Sequence, residues 1–152
     1  MPAQPKQMIG AIEKILLPIL REKNFKGTFP DFFREKNGHI DLLSFQFNKY
    51  GGSFAVNISY ANKERNNITP YSGKDVPPEK LTAYHGKDRL RLGSKPILLF
   101  LLFRREKVNG DHWFRYKENF FSRRNVFENA AKEVIPYLEN QAEEWWRSKY
   151  IS

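Results

Sequence analysis

Residues 39–60, HIDLLSFQFNKYGGSFAVNISY, decide the fold. From Ser53 to Tyr60 the residue types alternate without a break. Phe54, Val56, Ile58 and Tyr60 fall on one side of an extended chain, and Ser53, Ala55, Asn57 and Ser59 on the other. The stretch before it is also two-faced, with Leu43, Phe45 and Phe47 opposing Ser44, Gln46 and Asn48. Gly51 and Gly52 stand between the two and supply the positive φ angles of a tight connection, so the pair reads as an antiparallel hairpin. Leu42 beside Leu43 breaks the alternation and predicts a bulge there.

Working outward, Asn37 and Gly38 separate FFREK from HIDLLSFQF and predict a second hairpin. Upstream, Met8, Ile12, Ile15, Leu16, Ile19 and Leu20 recur at three- and four-residue steps between Lys6 and Lys23, the stripe of a helix buried on one face. Pro18 lies inside that stripe and predicts a kink in a continuous helix. Asn24 then takes the left-handed position after the last turn, with Phe25 folding back onto the helix.

Downstream, residues 61–87 hold three prolines and few apolar positions, a long polar excursion with one short helical turn after Pro78. RLRLG, residues 89–93, resumes alternation with Leu90 and Leu92 inward and Arg89 and Arg91 outward. PILLFLLFRR reads as a further strand that Asn109 and Gly110 turn into DHWFRYK. A second amphipathic helix runs from about Arg123 to Lys149, with Ser122 as its N-cap and a kink at Pro136. Its buried stripe is Phe127, Ala130, Ala131, Val134, Leu138, Ala142 and Trp145. Trp146 falls beside the stripe, as an exposed anchor for a partner or a cover for the sheet edge. The expected fold is α+β: a single domain over residues 1–152, with an antiparallel sheet of five or six strands and the N-terminal and C-terminal helices packed on one face.

The segment LLSFQFNKYGGSFAVNISY, followed by RLRLG, Trp113 and IPYLENQ, resembles the domain-of-unknown-function family numbered 4304. The most specific pieces are Gln46 with Lys49 and Gly51, Phe54 to Asn57, and Arg91 with Gly93. The resemblance implies a helix ending in a Gly-Phe-like pair, here Asn24 and Phe25, then an antiparallel sheet and a closing helix. Two departures are Asn24 in the glycine position and the apolar PILLFLLF before Trp113. The family implies a fold and no established reaction.

Composition narrows the function. The chain has no cysteine, which excludes a disulfide framework, a thiol nucleophile and thiolate metal sites and fits a cytoplasmic setting. The longest apolar run, Ile97 to Phe103, has seven residues against the roughly 20 of a membrane-spanning helix, so no membrane association is expected. His39, His85 and His112 show no metal-ligand spacing, and neither a nucleophile elbow nor a phosphate-binding glycine loop is present. No catalytic residue, metal or cofactor is therefore expected.

The net charge of +9 is uneven: +3 over residues 1–62, +8 over 63–124 and −2 over 125–152. Such a field suits an anionic partner. Three readings stay open. The first is a non-catalytic binding module for a protein, peptide or anionic ligand, with an open polar sheet face on which Gln46, Asn57, Arg89 and Arg91 converge. The second is nucleic-acid binding through a basic patch of Arg104, Arg105, Arg115, Lys117, Arg123 and Arg124 interleaved with aromatics. The third is an immunity-like protein that blocks a toxin.

Overall fold

The first helix, α1 (Ala3–Glu22), runs unbroken through Pro18 and buries Met8, Ile12, Leu16 and Leu20 along one stripe. It ends as the sequence predicts. Asn24 adopts φ 70°, the Phe25 N–H reaches the Leu20 carbonyl (2.9 Å) and the Asn24 N–H the Arg21 carbonyl (3.0 Å), which satisfies two of the last helical carbonyls. Phe25 is thereby folded into the core. The computed structural model describes residues 3–62, 77–94, 112–116 and 125–150. PILLFLLF, the Asn109–Gly110 turn, Ser122 and the basic residues Arg104, Arg105, Lys117, Arg123 and Arg124 lie outside the described residues.

The sheet is antiparallel throughout and contains β1 (Lys26–Thr28), β2 (Asp31–Lys36), β3 (His39–Phe47), β4 (Ser53–Asn62), β5 (Lys87–Arg91) and β6 (Phe114–Arg115). The first five lie in chain order, and β6 joins β4 beyond the stretch that β5 pairs. Asn37 (φ 51°) and Gly38 (φ 81°) form the two-residue turn between β2 and β3. Sequence reading missed β1, which is three residues long. Its Gly27 takes φ 108°, and a side-chain carbon there would lie 2.6 Å from the Asp31 carbonyl.

Register assigns the faces. Phe32, Leu43, Phe45, Phe54, Val56 and Ile58 point toward the helices and form the main core with α1 and the C-terminal helix. The expected bulge at Leu42 and Leu43 is absent, because both strands bordering β3 keep regular register there. Alternation breaks for another reason: Ile40 and Leu42 point to the outer face, where they bury a second apolar cluster with Ala61, Leu81 and Ala83. The register shift lies instead between β4 and β5, at Ile58 and Tyr60.

The closing helix comprises α2 (Val126–Pro136), a π-helical turn over Tyr137–Ala142 and α3 (Glu143–Tyr150). The chain stays helical past Pro136. The wider turn advances the phase by part of a residue, so the buried stripe runs Val134, Leu138, Ala142 and then Trp146. This corrects the assignment of the tryptophans: Trp146 is fully buried, packs tilted against Phe25 (5.4 Å between ring centroids) and donates to the Ser59 carbonyl (2.9 Å), while Trp145 is only partly buried.

Candidate functional site

Alternation predicts an open polar floor on the outer sheet face, and half of that face is closed. Residues 81–86 lie across Ile40, Leu42, Ser44, Ser59 and Ala61, and all five are buried. Two serines hold the covering segment by its backbone. The Ala83 N–H donates to Ser44 Oγ (2.9 Å), and Ser59 Oγ donates to the Ala83 carbonyl (2.6 Å). Ser44 Oγ in turn donates to Asp31 (2.6 Å). At Gly86 the backbones come so close that a side-chain carbon would sit 2.3 Å from Ser59 Oγ, so only glycine fits.

Toward the β3–β4 turn the same face has different occupants. Asn57 lies opposite Arg91 in the β4–β5 ladder and Arg115 opposite Ser53 in the β4–β6 ladder, which puts both arginines on the outer side. Gln46 Oε1 accepts from Asn57 Nδ2 (3.0 Å), Arg91 Nη2 (3.1 Å) and the Tyr84 hydroxyl (3.0 Å). Arg91 Nε donates to Asn57 Oδ1 (3.1 Å), and Asn57 Nδ2 also reaches the Tyr84 hydroxyl (3.2 Å). The Arg91 guanidinium lies 4.7 Å from the Trp113 ring centroid and that of Arg89 5.3 Å from Tyr84. The structure thus brings Gln46, Asn57, Arg89 and Arg91 into one cluster. It adds Tyr84 and Trp113, which sequence reading does not place there.

Exposure differs across this cluster. Asn57, Ala55 and Ser53 form a buried floor, Gln46, Arg91 and Trp113 are half-buried, and Arg89, Arg115 and Tyr84 are exposed. The side chains of Arg89 and Arg115 make no ion pair or hydrogen bond among the described residues. Fixed amides and stacked guanidinium groups can orient a ligand by hydrogen bonding and charge. Among the described residues the cluster holds no imidazole, carboxylate or thiol, the groups that most often act as general base or nucleophile.

The inner face carries a different polar group. Arg34 on β2 donates from Nε to Asp41 Oδ2 (2.8 Å) and from Nη1 and Nη2 to the two Glu143 oxygens (3.0 Å each), and lies 4.6 Å from the Phe25 ring centroid. Burial raises the Asp41 carboxyl to about 6, with Arg34 opposing. At Glu143 burial again pushes upward, but hydrogen bonding and charge from Arg34 outweigh it and hold the group below its ordinary value. These groups face one another and tie α3 to the sheet, as a structural pin does.

Gln141, Gly93 and the histidines make local contacts. Gln141, in the π turn, accepts from the Gly93 N–H (2.8 Å) and donates to the Ser94 carbonyl (2.7 Å), clasping the end of β5. Gly93 has φ 92° and rests against the His112 ring, where a side-chain carbon would collide at 2.3 Å. His39 stacks on Tyr150 (4.2 Å), and His85 Nδ1 accepts from the Thr82 N–H (2.9 Å). Among the described residues no group of three His, Asp or Glu side chains is placed to hold a metal, and no helix is long and apolar enough to cross a membrane.

Compared with known proteins, residues 16–148 match a family model described as a domain of unknown function, DUF4304. No curated protein and no solved structure matches the chain.

Proposed function

Because the chain belongs to the DUF4304 family, whose description names no activity, we propose its function from its own outer face. It is a non-catalytic binding module that takes an anionic or peptide-like partner on the half bearing Gln46, Asn57, Arg89 and Arg91. The observation that carries this reading is the pair of neighbouring guanidinium groups stacked on aromatic rings, Arg89 on Tyr84 and Arg91 on Trp113, above a floor of short side chains. Stacking holds the exposed Arg89 cation in place without neutralising it, so its charge stays available to a partner, and Arg91 beside it fixes the amides of the floor.

Elution from immobilised heparin, a generic polyanion, tests this. The Arg89→Gln/Arg115→Gln variant should elute at clearly lower salt than a charge-matched Lys6→Gln/Lys132→Gln control, all four side chains being exposed. Stability should stay within about 0.5 kcal/mol of wild type in both. Equal shifts in the two variants would show that retention tracks net charge alone, and the reading would fail.

A further inference from the structure

We infer that the partner taken on this half-face is a single-stranded nucleic acid, an inference that rests on the binding reading above. Charge is segregated across the outer face. Among the described strand residues that register turns outward, the carboxylates Asp31 and Glu35 stand on β2, whereas Arg89, Arg91 and Arg115 stand on β5 and β6 at the opposite side. Lys49 extends the cationic side into the β3–β4 turn. Among the described residues, the large aromatic side chains most open to solvent are Tyr50 (84%) and Tyr84 (43%), and both border this cationic half. Each carries a cation on its ring, Lys49 4.9 Å from the Tyr50 centroid and Arg89 5.3 Å from that of Tyr84; Trp113 carries Arg91.

Three aromatic–cation pairs, two beside β5 and β6 and one in the β3–β4 turn, match what an unpaired strand offers. Its bases stack on aromatic rings and guanidinium planes, and its phosphates pair with the cations between them. An acidic peptide would use the cations and leave the Tyr50 ring without a role. A duplex would present phosphates but keep its base faces hidden. Ser53, Ala55 and Asn57 are short and buried beneath the cluster, so nothing on the floor projects between stacked bases.

The test is fluorescence anisotropy of a labelled oligothymidylate of about twenty nucleotides, a length covering one or more ordinary single-strand sites, with the full chain. Binding should weaken as salt rises, and Arg115→Gln should reduce the slope of log affinity against log salt by about 0.7. Tyr50→Ala and Tyr84→Ala should each weaken binding about tenfold, and the Tyr50 side chain is too exposed for its loss to unfold the protein. A duplex of equal length should bind more weakly. Binding indifferent to both tyrosines, or matched by the duplex, overturns the inference. If a polyglutamate peptide binds where the oligothymidylate does not, the inference falls and the binding reading stands; if heparin, peptide and oligonucleotide all fail to bind, both fall.

Discussion

Ser44 and Gln46 stand two residues apart on the same side of β3, and their surroundings differ completely. Ser44 is fully buried under residues 81–86, its hydroxyl committed to Ala83 and Asp31. Gln46 is half-exposed and gathers Asn57, Arg91 and Tyr84 around one oxygen. Both belong to the polar set that alternation alone defines. Small polar side chains therefore do not mark an open surface: a serine hydroxyl can satisfy the backbone of a covering segment as well as it can meet water. The chain beyond Pro78 divides the face, since Leu81 and Ala83 bring apolar cover for Ile40 and Leu42, while Tyr84 and Arg89 add an aromatic–cation pair at the boundary.

Removing the cover is the harshest way to break this contrast. Leu81 is buried against Ile40, Leu42 and Ala61. Leu81→Ala should cost about 2–5 kcal/mol in chemical denaturation, as expected for a cavity in a tightly packed cluster. A loss below about 1 kcal/mol would mean that residues 81–86 rest on the face without sealing it, and the two halves would then differ little.

The same division explains which features are legible in the sequence. Alternation in β4, the Asn37–Gly38 turn and the Asn24 helix end are local patterns, and each lies where the pattern puts it. Leu42 misleads because the residues that bury it, Leu81 and Ala83, are far away in sequence and isolated within a polar stretch. Trp145 and Trp146 exchange roles because a π turn changes helical phase without a pattern that announces it. Of the outer-face cluster, Gln46, Asn57, Arg89 and Arg91 come from period-two geometry. Trp113 could be found only from register, since it precedes Phe114, which pairs with Phe54 and points inward, and Tyr84 lies on the covering segment outside any strand, where no alternation places it. The covered half looks open in the sequence because alternation shows which way a side chain points and not what lies above it.

A smaller effect sharpens the comparison by setting the outer face against the inner one. Asp41 is raised by burial from 3.8 to about 6, so the folded protein takes up a proton that the unfolded chain has already released over that interval. The resulting stability is fully present below about pH 4 and is lost as pH rises through about 6. Measured as the difference between wild type and Asp41→Asn, stability should fall across that window with a slope of at most about 1.4 kcal/mol per pH unit. Arg89→Gln, on the outer face, should leave the profile of that difference unchanged. A flat difference would show that the Asp41 carboxyl is not desolvated, and the distinction between a sealed inner ion cluster and an accessible outer one would be lost.

The division of the outer face is tested most directly by a heteronuclear NMR titration of the full chain with the unlabelled oligothymidylate. The side-chain N–H signals of Gln46, Asn57, Arg91 and Trp113 should move together with added ligand, while the backbone amides of Ser44, Ser59 and Ala83 stay in place. Shifts of equal size at Ser44, Ser59 and Ala83, or movement confined to residues away from the Gln46 cluster, would contradict a face divided into a sealed half and a binding half.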